Sequence, residues 1–374
     1  MTMVKNISTP YYLLDQGRLI HNMQLMKRFA NLSKTRLLLA VKCFAVPFVF
    51  PDMKQFLHGT TSSSLYEVKL GKTTFGGETH AYSVAFRDDE IDEVLKYADK
   101  IIFNSISQLH RFKEVATRRC CPIGLRINPG ISFSPYLLAD PARPYSRLGV
   151  ADREDLRSVL PQISGLMFHF NCENNDFCRL QALLKKIEEE YAFAFLAVDW
   201  ISLGGGVNFI GSHYPWEDLA NYLRELADRY HVQIYLEPGA ATVAGVGSLE
   251  VSVLDIIERQ EQKIAIVDAS IEAHMLDYLL YEQPIAIKGT VEKGYSYQIT
   301  GNTCLAGDIF GTFSFSQELA VGDQLSIQEA AAYIIVKKNW FNGVKMPAIA
   351  LHKLNGQVEM LRRFTYVDYL HSLS

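Results

Sequence analysis

The sequence predicts an α/β fold in which a (β/α)₈ barrel is followed by a mostly-β domain. Three observations lead to this prediction. Short apolar runs ending in small, polar or charged residues recur along the N-terminal part of the chain. Amphipathic helical patterns separate them. After about Val246 the helical patterns stop, and strand-like runs follow one another directly.

Eight apolar runs supply the predicted barrel strands. They end near Lys42, Thr61–Ser64, Ser83–Arg87, Asn104, Arg126–Gly130, His169, Gly204 and Glu237. The first five ends lie about 21 residues apart, which suits one strand, one helix and two loops. Eight such units predict a closed barrel. An open doubly wound sheet is the alternative, but no glycine-rich turn follows the first run.

The segments between the runs carry apolar residues at helical spacing. "RLQALLKKIEEEY" places Leu180, Leu184 and Ile187 on one face, and "WEDLANYLRELADRY" does the same with Leu219 and Leu223. Such a stripe is typical of a helix that packs against a core. These helices would form the outer ring of the barrel.

The mostly-β domain is predicted from short strand-like runs near the C-terminus. They are "EVSVLDII", "KIAIVDA", "QPIAIKGTV", "YSYQITG", "DQLSI" and "AAAYIIV". Asn355-Gly356 stands between alternating residues and predicts a hairpin. We expect the barrel to occupy residues 18–246. The N-terminal segment, residues 1–17, should complete the β domain formed by residues 247–374.

Composition narrows the class of protein. The 374 residues are 48% hydrophobic and 21% charged, with a net charge of −4. The sequence therefore lacks the excess of basic residues that is typical of proteins that bind nucleic acids or membrane surfaces. No apolar stretch approaches the ~18 residues of a membrane span, and the N-terminus lacks a signal-peptide core. Six cysteines are too few for a disulfide scaffold. We therefore expect a reduced, cytoplasmic protein.

Lys42 is the first polar residue at a predicted strand end, in "LLLAVKCFA". In a barrel the chemistry lies at the carboxyl ends of the strands. Apolar neighbours would remove part of the hydration of the ammonium and lower its pKa. The free amine could then form a Schiff base, including one with pyridoxal 5′-phosphate (PLP). A lysine that only extends from a strand end into solvent is the simpler interpretation.

Two further strand ends suit the same cofactor. "SLGGGVNF" contains Gly204–Gly206, whose amides could approach a phosphate, although a tight turn would also explain the glycines. "EPGAA" places Glu237 where a carboxylate could keep a pyridine nitrogen protonated. Gly239 and Ala240 follow it with exposed amides. In isolation, Glu237 could equally be a solvated loop residue.

Other candidates have equally simple structural interpretations. His169 could stack on a flat ring, but a lone histidine is more often a core residue; with Cys172 it would make only half of a metal site. "GNTCLAGD" brings Cys304, a possible proton donor, close in sequence to Asp308, a possible partner for an amine. Tyr333 is either a core residue or a hydroxyl donor to phosphate.

Taken in order, these motifs resemble a known family. "AVKCF", "HFN", "SLGGG", "EPGA", "TCLAGD" and "AAAY" resemble the fold-type III PLP-dependent decarboxylases, which share the alanine-racemase-like barrel and include ornithine, arginine and diaminopimelate decarboxylases. "TPYYLLD", "SSSLYEVKLG", "DPARPYSRLGV" and "EAHMLD" are similar to the branch that decarboxylates carboxylated polyamines in polyamine biosynthesis. The resemblance covers nearly the whole chain.

The resemblance implies a role for each candidate. Lys42 would bind PLP covalently, and His169 would stack on its ring. Glu237 would pair with the pyridinium nitrogen. Cys304 would come from the partner subunit of a homodimer with shared active sites and would protonate the reacting carbon. The phosphate would be held by Gly205, Gly206, Gly239, Ala240 and Tyr333.

The substrate implied by this branch is a carboxy-polyamine whose far end is cationic. Carboxylates should therefore line that end, and the candidates are Asp308, Asp277 and Glu272. Decarboxylases of the ornithine and diaminopimelate types carry an arginine after "EPG", whereas this chain has Ala240, which weakens the diaminopimelate alternative. Ornithine and arginine stay open as substrates, as does a non-catalytic PLP carrier. Glu237 argues against a racemase, since racemases of this fold avoid a carboxylate at the pyridine nitrogen.

Overall fold

The computed structural model describes residues 7–374, and its strands and helices alternate in the first part of the chain. The strands are β1 (Tyr11–Asp15), β2 (Arg36–Ala40), β3 (Gly59–Ser62), β4 (Glu78–Tyr82), β5 (Lys100–Phe103), β6 (Ile123–Ile127), β7 (Gly165–Phe168), β8 (Trp200–Ser202), β9 (Gln233–Leu236), β10 (Gly247–Arg259), β11 (Gln262–Val267), β12 (Thr290–Thr300), β13 (Ile309–Phe315), β14 (Gln324–Gln328), β15 (Ala348–His352) and β16 (Val358–Arg362).

The helices range from one turn to five. They are α1 (Gln16–Ser33), α2 (Phe50–Met53), α3 (Leu65–Leu70), α4 (Ile91–Tyr97), α5 (Ile106–Arg118), α6 (Arg153–Val159), α7 (Phe177–Phe195), α8 (Trp216–Tyr230), α9 (Ile271–His274), α10 (Leu276–Leu280) and α11 (Tyr366–Leu373). Two compact units are present. One is Ile20–Thr242, and the other joins the described residues up to Leu19 with Val243–Ser374.

The first unit contains a closed barrel of eight parallel strands, β2 to β9 in chain order. This confirms the predicted (β/α)₈ barrel and excludes the open doubly wound sheet, because β9 pairs with β2 through Arg36–Tyr235 and Leu37–Leu236. Most strand residues are buried, as expected for strands covered on both faces. The polar ends of the apolar runs consequently meet at one rim, the carboxyl end of the barrel.

Two helices of the barrel unit start at a capping serine. Ser64 accepts a hydrogen bond from an amide in the first turn of α3, and Ser105 does the same for α5. Each serine satisfies an amide that lacks a partner inside the helix. The predicted apolar stripes of α7 and α8 are buried, including Leu184 and Leu223. Capping therefore sets where α3 and α5 start, and burial of the apolar stripes stabilises α7 and α8.

The second unit is a mostly-β sheet that the N-terminal segment completes, as predicted. Its strand order is β13-β12-β11-β10-β1-β15-β16, with β14 paired to β10. Strand β1 pairs antiparallel with β10 and parallel with β15, so it lies inside the sheet. Residues 1–6 of the predicted N-terminal segment lie outside the described residues. The boundaries at 17/18 and 246/247 stay a proposal for where the folding domains divide.

The hairpin predicted at Asn355-Gly356 is present between β15 and β16. Its connection spans residues 353–357, closed by a hydrogen bond from the Lys353 amide to the Gln357 carbonyl of 2.8 Å. Gly356 adopts φ +80°, a left-handed conformation that glycine reaches without a steric penalty. The structure thus confirms the predicted hairpin.

Two of the predicted strands are wrong. "QPIAIKGTV" forms a strand only from Thr290 onward, and "AAAYIIV" forms turns in which Tyr333 has φ +57°. In the second run Ala330, Ala331 and Ile334 are buried, so the apolar character reflects burial of an irregular segment. Periodicity cannot separate these cases in a short apolar run. Strand β13 and the short helices α9 and α10 were not predicted.

Among residues 7–374, no helix combines the length and apolar character that a membrane crossing requires.

Candidate active site

Lys42 lies two residues after β2, in a turn held between the neighbouring strands. The Ala40 amide donates to the Pro238 carbonyl at 3.1 Å, and the Val41 amide donates to the Thr61 carbonyl at 3.1 Å. These bonds tie the two residues before the lysine to the carboxyl ends of the neighbouring strands β9 and β3. The strand leading to Lys42 is buried, whereas the side chain of Lys42 is exposed. The amine is thus held on a rigid strand end but accessible to a ligand.

The surroundings of Lys42 favour the neutral amine. Although the side chain is accessible, protein atoms surround the ammonium closely enough for desolvation to lower the pKa of Lys42. The Arg126 charge lowers it further, whereas Glu237 and Glu67 act in the opposite direction. Glu67 was not singled out in the sequence. It follows β3 in α3, and its Oε2 accepts a 2.6 Å hydrogen bond from the Ser63 amide.

Glu237 is buried at the end of β9, with 6% of its surface exposed. The Ser202 hydroxyl donates to its Oε1 at 2.6 Å, and the Glu237 amide donates to the Gly204 carbonyl at 2.8 Å. The carboxylate is therefore oriented from two neighbouring strand ends. Because the Ser202 hydroxyl donates to Oε1, Oε2 is the better placed to accept a hydrogen bond from a protonated ring nitrogen. Ser202 had no predicted role.

His169 and the glycine turn after β8 are in direct contact. The Gly205 amide donates to His169 Nδ1 at 3.1 Å. Gly204 and Gly206 have φ +68° and +82°, which shape the turn. The Gly205 amide, predicted to bind phosphate, is thus already used by the imidazole. Of the glycine amides proposed for phosphate at this turn, that of Gly206 is the better candidate.

Gly239 lies against the residues that flank Lys42, and Ala240 follows it. A Cβ at Gly239 would stand 3.0 Å from Sγ of Cys43, the residue after Lys42. Ala240 is exposed at the start of a short turn, Ala240–Val243, and the Thr242 hydroxyl donates to the Gly239 carbonyl at 2.6 Å. The first amides of such a turn have no partner inside it and can face a ligand. This arrangement is compatible with the predicted phosphate contacts.

Arg126 is a barrel residue whose importance was missed. It is 4% exposed, and its Nη1 donates to the Tyr82 hydroxyl at 2.7 Å. Its Nη2 is buried with no hydrogen-bond partner. A buried guanidinium nitrogen without an acceptor is costly, which indicates a polar ligand group at this position. The signal was an arginine inside an apolar strand, in "GLRINPG".

In the second unit, one short segment connects Glu272 and Cys304. Asn339 Nδ2 donates to Glu272 Oε1 at 3.2 Å, and the Cys304 amide donates to Asn342 Oδ1 at 2.8 Å. Glu272 Oε2 is buried with no partner. The Cys304 thiol is exposed. Residues 339–342 therefore hold a carboxylate with a free acceptor and an accessible thiol, and the sequence had indicated neither asparagine.

Asp308 was predicted to contact substrate, and that role stays a prediction; the structure shows its carboxylate held by donors of its own unit. It is 3% exposed, and its carboxylate accepts bonds from the Ile271 amide at 2.8 Å and from the amide and hydroxyl of Thr303 at 3.1 and 2.5 Å. A carboxylate with three local donors is a structural anchor. Asp308 shapes the loop that carries Cys304, because the Ile271 and Thr303 amides need a hydrogen-bond acceptor and the Asp308 carboxylate provides it.

Asp277 and Tyr333 belong to a separate cluster of the second unit. Lys337 forms an ion pair with Asp277 and lies over the rings of Tyr281 and Tyr333 at 5.8 and 5.3 Å. Desolvation raises the pKa of Asp277 despite the lysine. Asp277 thus already has a cationic partner within its own unit. Of the three predicted acids, Glu272 is the one with an unused buried oxygen.

No group of three or more His, Cys, Asp or Glu side chains able to hold a metal ion occurs in the part of the chain that the structure describes. The chemistry at the barrel rim is that of an amine, an imidazole, a buried carboxylate, a guanidinium and a glycine turn. A (β/α)₈ barrel presenting these groups around one accessible lysine defines a PLP-binding enzyme of the fold-type III class.

Comparisons with known proteins agree with this class. Residues 97–331 match the family described as "Pyridoxal-dependent decarboxylase, C-terminal sheet domain". A carboxynorspermidine/carboxyspermidine decarboxylase of Herminiimonas arsenicoxydans is 52% identical, over 98% of this chain and all of that protein. A carboxyaminopropylagmatine decarboxylase of Synechocystis is 33% identical, over 99% and 96%. Carboxynorspermidine decarboxylase from Campylobacter jejuni, solved with norspermidine, superposes with a TM-score of 0.90 at 35% identity, covering 98% and 100%.

This chain belongs to the family of pyridoxal-dependent decarboxylases. It is a PLP-dependent carboxy-lyase of polyamine metabolism, which confirms the predicted family and cofactor. A non-catalytic PLP carrier is thereby excluded. The barrel residues fit the cofactor, because Arg126 Nη2 lacks an acceptor and Glu237 keeps an oxygen available for a protonated ring nitrogen.

Proposed function

We propose that this enzyme decarboxylates carboxynorspermidine and/or carboxyspermidine, forming norspermidine and spermidine. The observation that carries the proposal is the similarity, over essentially the full length of both chains, to the Herminiimonas arsenicoxydans decarboxylase of these two compounds. Two features of the chain support it. Ala240 leaves no cation after "EPG" to pair with an anionic substrate end, and Glu272 offers an unused buried carboxylate oxygen to a cationic one.

Each barrel residue would contribute one step of binding or proton transfer. Bound PLP withdraws electrons from the substrate Cα, so that carbon dioxide can leave. Lys42 would bind the cofactor covalently and later release the amine. Glu237 would keep the ring nitrogen protonated. His169 would stack on the ring, and Gly206, Gly239 and Ala240 would hold the phosphate.

The second unit would supply the proton and the contact to the distal amine. Cys304 is an exposed thiol, and we propose that it donates the proton that replaces carbon dioxide at Cα. Glu272 is held by Asn339, and its Oε2 would accept a hydrogen bond from the distal ammonium of the substrate. Residues 339–342 contact both Glu272 and Cys304. This short segment would therefore determine the distance between the site for the distal amine and the proton donor.

We also propose a cytoplasmic homodimer in which each active site combines residues of both chains. All six cysteines lie within residues 7–374 and are present as thiols, with no disulfide among them. Reduced thiols in that number suit a reducing compartment. A homodimer is supported by the resemblance to the fold-type III decarboxylases, and twofold symmetry would create two identical composite sites.

Replacing the buried carboxylate should slow the chemical step. Glu237→Gln keeps the acceptor for Ser202 but removes the charge that stabilises a protonated ring nitrogen. Loss of a charge-assisted hydrogen bond costs about 1.5–3 kcal/mol, so single-turnover release of carbon dioxide should slow by about ten- to a hundred-fold. Glu217→Gln, at an exposed position of α8, is the control and should have no effect. Unchanged turnover in Glu237→Gln would contradict the assigned role.

Glu272→Gln should weaken substrate binding through the distal amine. Losing a charged hydrogen bond of about 1.5–3 kcal/mol should raise KM by about ten- to a hundred-fold, with PLP occupancy unchanged. A substrate analogue without the distal amine should respond much less to the substitution. The matched control is Glu292→Gln, at an exposed position of β12. An equal loss for both substrates would show that Glu272 does not bind the amine.

The proposed substrate class is tested by a direct comparison. PLP-loaded protein is incubated with carboxynorspermidine, carboxyspermidine, carboxyaminopropylagmatine, diaminopimelate, ornithine and arginine, and carbon dioxide release is measured. We expect kcat/KM to be highest for the first two compounds. A higher kcat/KM for diaminopimelate, ornithine or arginine would overturn the proposed substrate while leaving the decarboxylase family intact. Carboxyaminopropylagmatine as the best substrate would move the enzyme to the activity named for its Synechocystis relative.

A further inference from the structure

The contact between the glycine turn and His169 determines where the imidazole can carry its proton. The Gly205 amide lies 3.1 Å from His169 Nδ1 and meets the geometric criteria of a hydrogen bond. A backbone N–H can only donate, so Nδ1 must accept. In the neutral imidazole the single ring proton is then on Nε2. Because the donor is a backbone amide, the contact by itself fixes the tautomer.

The turn encloses the Nδ1 edge of the ring. A Cβ added at Gly204 would stand 2.4 Å from Nδ1, and Gly204 has φ +68°. The turn is anchored on both sides, because the Gly204 amide donates to the Ser202 hydroxyl at 3.2 Å and the Asn174 amide donates to the Gly206 carbonyl at 2.8 Å. The Nδ1 edge of the ring therefore contacts a backbone turn that is fixed by hydrogen bonds, and the Gly205 amide satisfies Nδ1 without a water molecule.

Charges around the ring oppose a second proton. Desolvation lowers the pKa of His169 well below its ordinary value, and the positive charges of Lys42, after β2, and Arg126, on β6, lower it further. Glu237, after β9, is engaged by Ser202. Protonation of Nδ1 would also place two N–H groups face to face. The neutral form is thus favoured by charge and by geometry together.

We propose that the glycine turn holds His169 as a neutral imidazole protonated on Nε2, with Gly205 as the positioning residue. For the function this rests on the proposed stacking of His169 on the cofactor ring. A neutral imidazole adds no positive charge beside a ring nitrogen that Glu237 is to keep protonated. It also leaves the Nε2 proton as a hydrogen-bond donor. The glycine turn would then have two roles: it would position the His169 imidazole through Gly205 and bind the phosphate through Gly206.

Nitrogen NMR of the full-length protein, labelled with ¹⁵N at histidine and glycine, tests the proposal directly. His169→Asn assigns the signals and keeps an acceptor for the Gly205 amide. We expect a non-protonated Nδ1 and a protonated Nε2, unchanged between about pH 5 and about pH 8, where an ordinary histidine titrates. A scalar coupling across the N–H···N bond should connect Gly205 and Nδ1. An Nδ1-protonated ring, a titration in that range, or no coupling would overturn the proposal.

Gly204→Ala tests whether the turn causes this state. The added Cβ should displace the ring, so that Nδ1-protonated imidazole becomes detectable. Gly211→Ala in the same loop is the control, because its Cβ would meet atoms no closer than 3.4 Å. An unchanged tautomer in Gly204→Ala would overturn the role of the turn; if that variant does not fold, the wild-type coupling decides. The spectra are recorded with and without PLP, so a failed decarboxylation assay would refute the proposed function and leave this result standing.

Discussion

Lys42→Ala should abolish covalent cofactor binding and nearly all turnover. The substitution removes the amine that is desolvated at the barrel rim, and alanine offers no group that could replace it. We expect kcat to fall by at least about a thousand-fold, equivalent to about 4 kcal/mol of transition-state stabilisation. Borohydride reduction of the PLP-loaded wild type, followed by peptide mapping, should locate the cofactor on Lys42. The variant should show no such adduct.

Lys54→Ala is the matched control for this substitution. Lys54 follows α2 on the same unit and is exposed, so its removal should change neither cofactor binding nor turnover. Folding of both variants is compared by circular dichroism and thermal unfolding. Borohydride labelling of a lysine other than Lys42 in the wild type would contradict the assignment, even if Lys42→Ala were inactive.

Mixing two inactive variants should restore activity if each site uses both chains of a dimer. Lys42→Ala and Cys304→Ala are each expected to be nearly inactive. When they are unfolded, mixed equally and refolded, random pairing makes about half of the dimers mixed. In a mixed dimer one site carries both lesions and the other carries none. Activity should therefore recover to about a quarter of wild type.

The control mixes Lys42→Ala with the double variant Lys42→Ala/Cys304→Ala. No site can then contain the lysine, so nothing should be recovered. Differently tagged chains show whether mixed dimers form. If they form and the first mixture stays inactive, both residues of a site come from one chain. That result would reject the shared site while leaving the PLP assignment standing.

The barrel and the positions of its reactive groups could be predicted because hydrophobic runs carry that information locally. A run ends where its strand leaves the core, and parallel strands of a barrel end at one rim. Lys42, His169 and Glu237 follow their strands by no more than two residues, so spacing in the sequence was enough to place them together. The strand predicted at "AAAYIIV" is wrong because an apolar run reports burial, and burial also occurs in turns.

Only the tertiary structure decided how each polar group is satisfied. The Gly205 amide meets His169 across 36 positions of sequence, and Asn339 meets Glu272 across 67. Asp308 accepts hydrogen bonds from Ile271 and Thr303, while Arg126 keeps an unpartnered nitrogen. Residue types show which groups can donate or accept, but hydrogen bonds are short and directional, so only the folded backbone determines which donor reaches which acceptor.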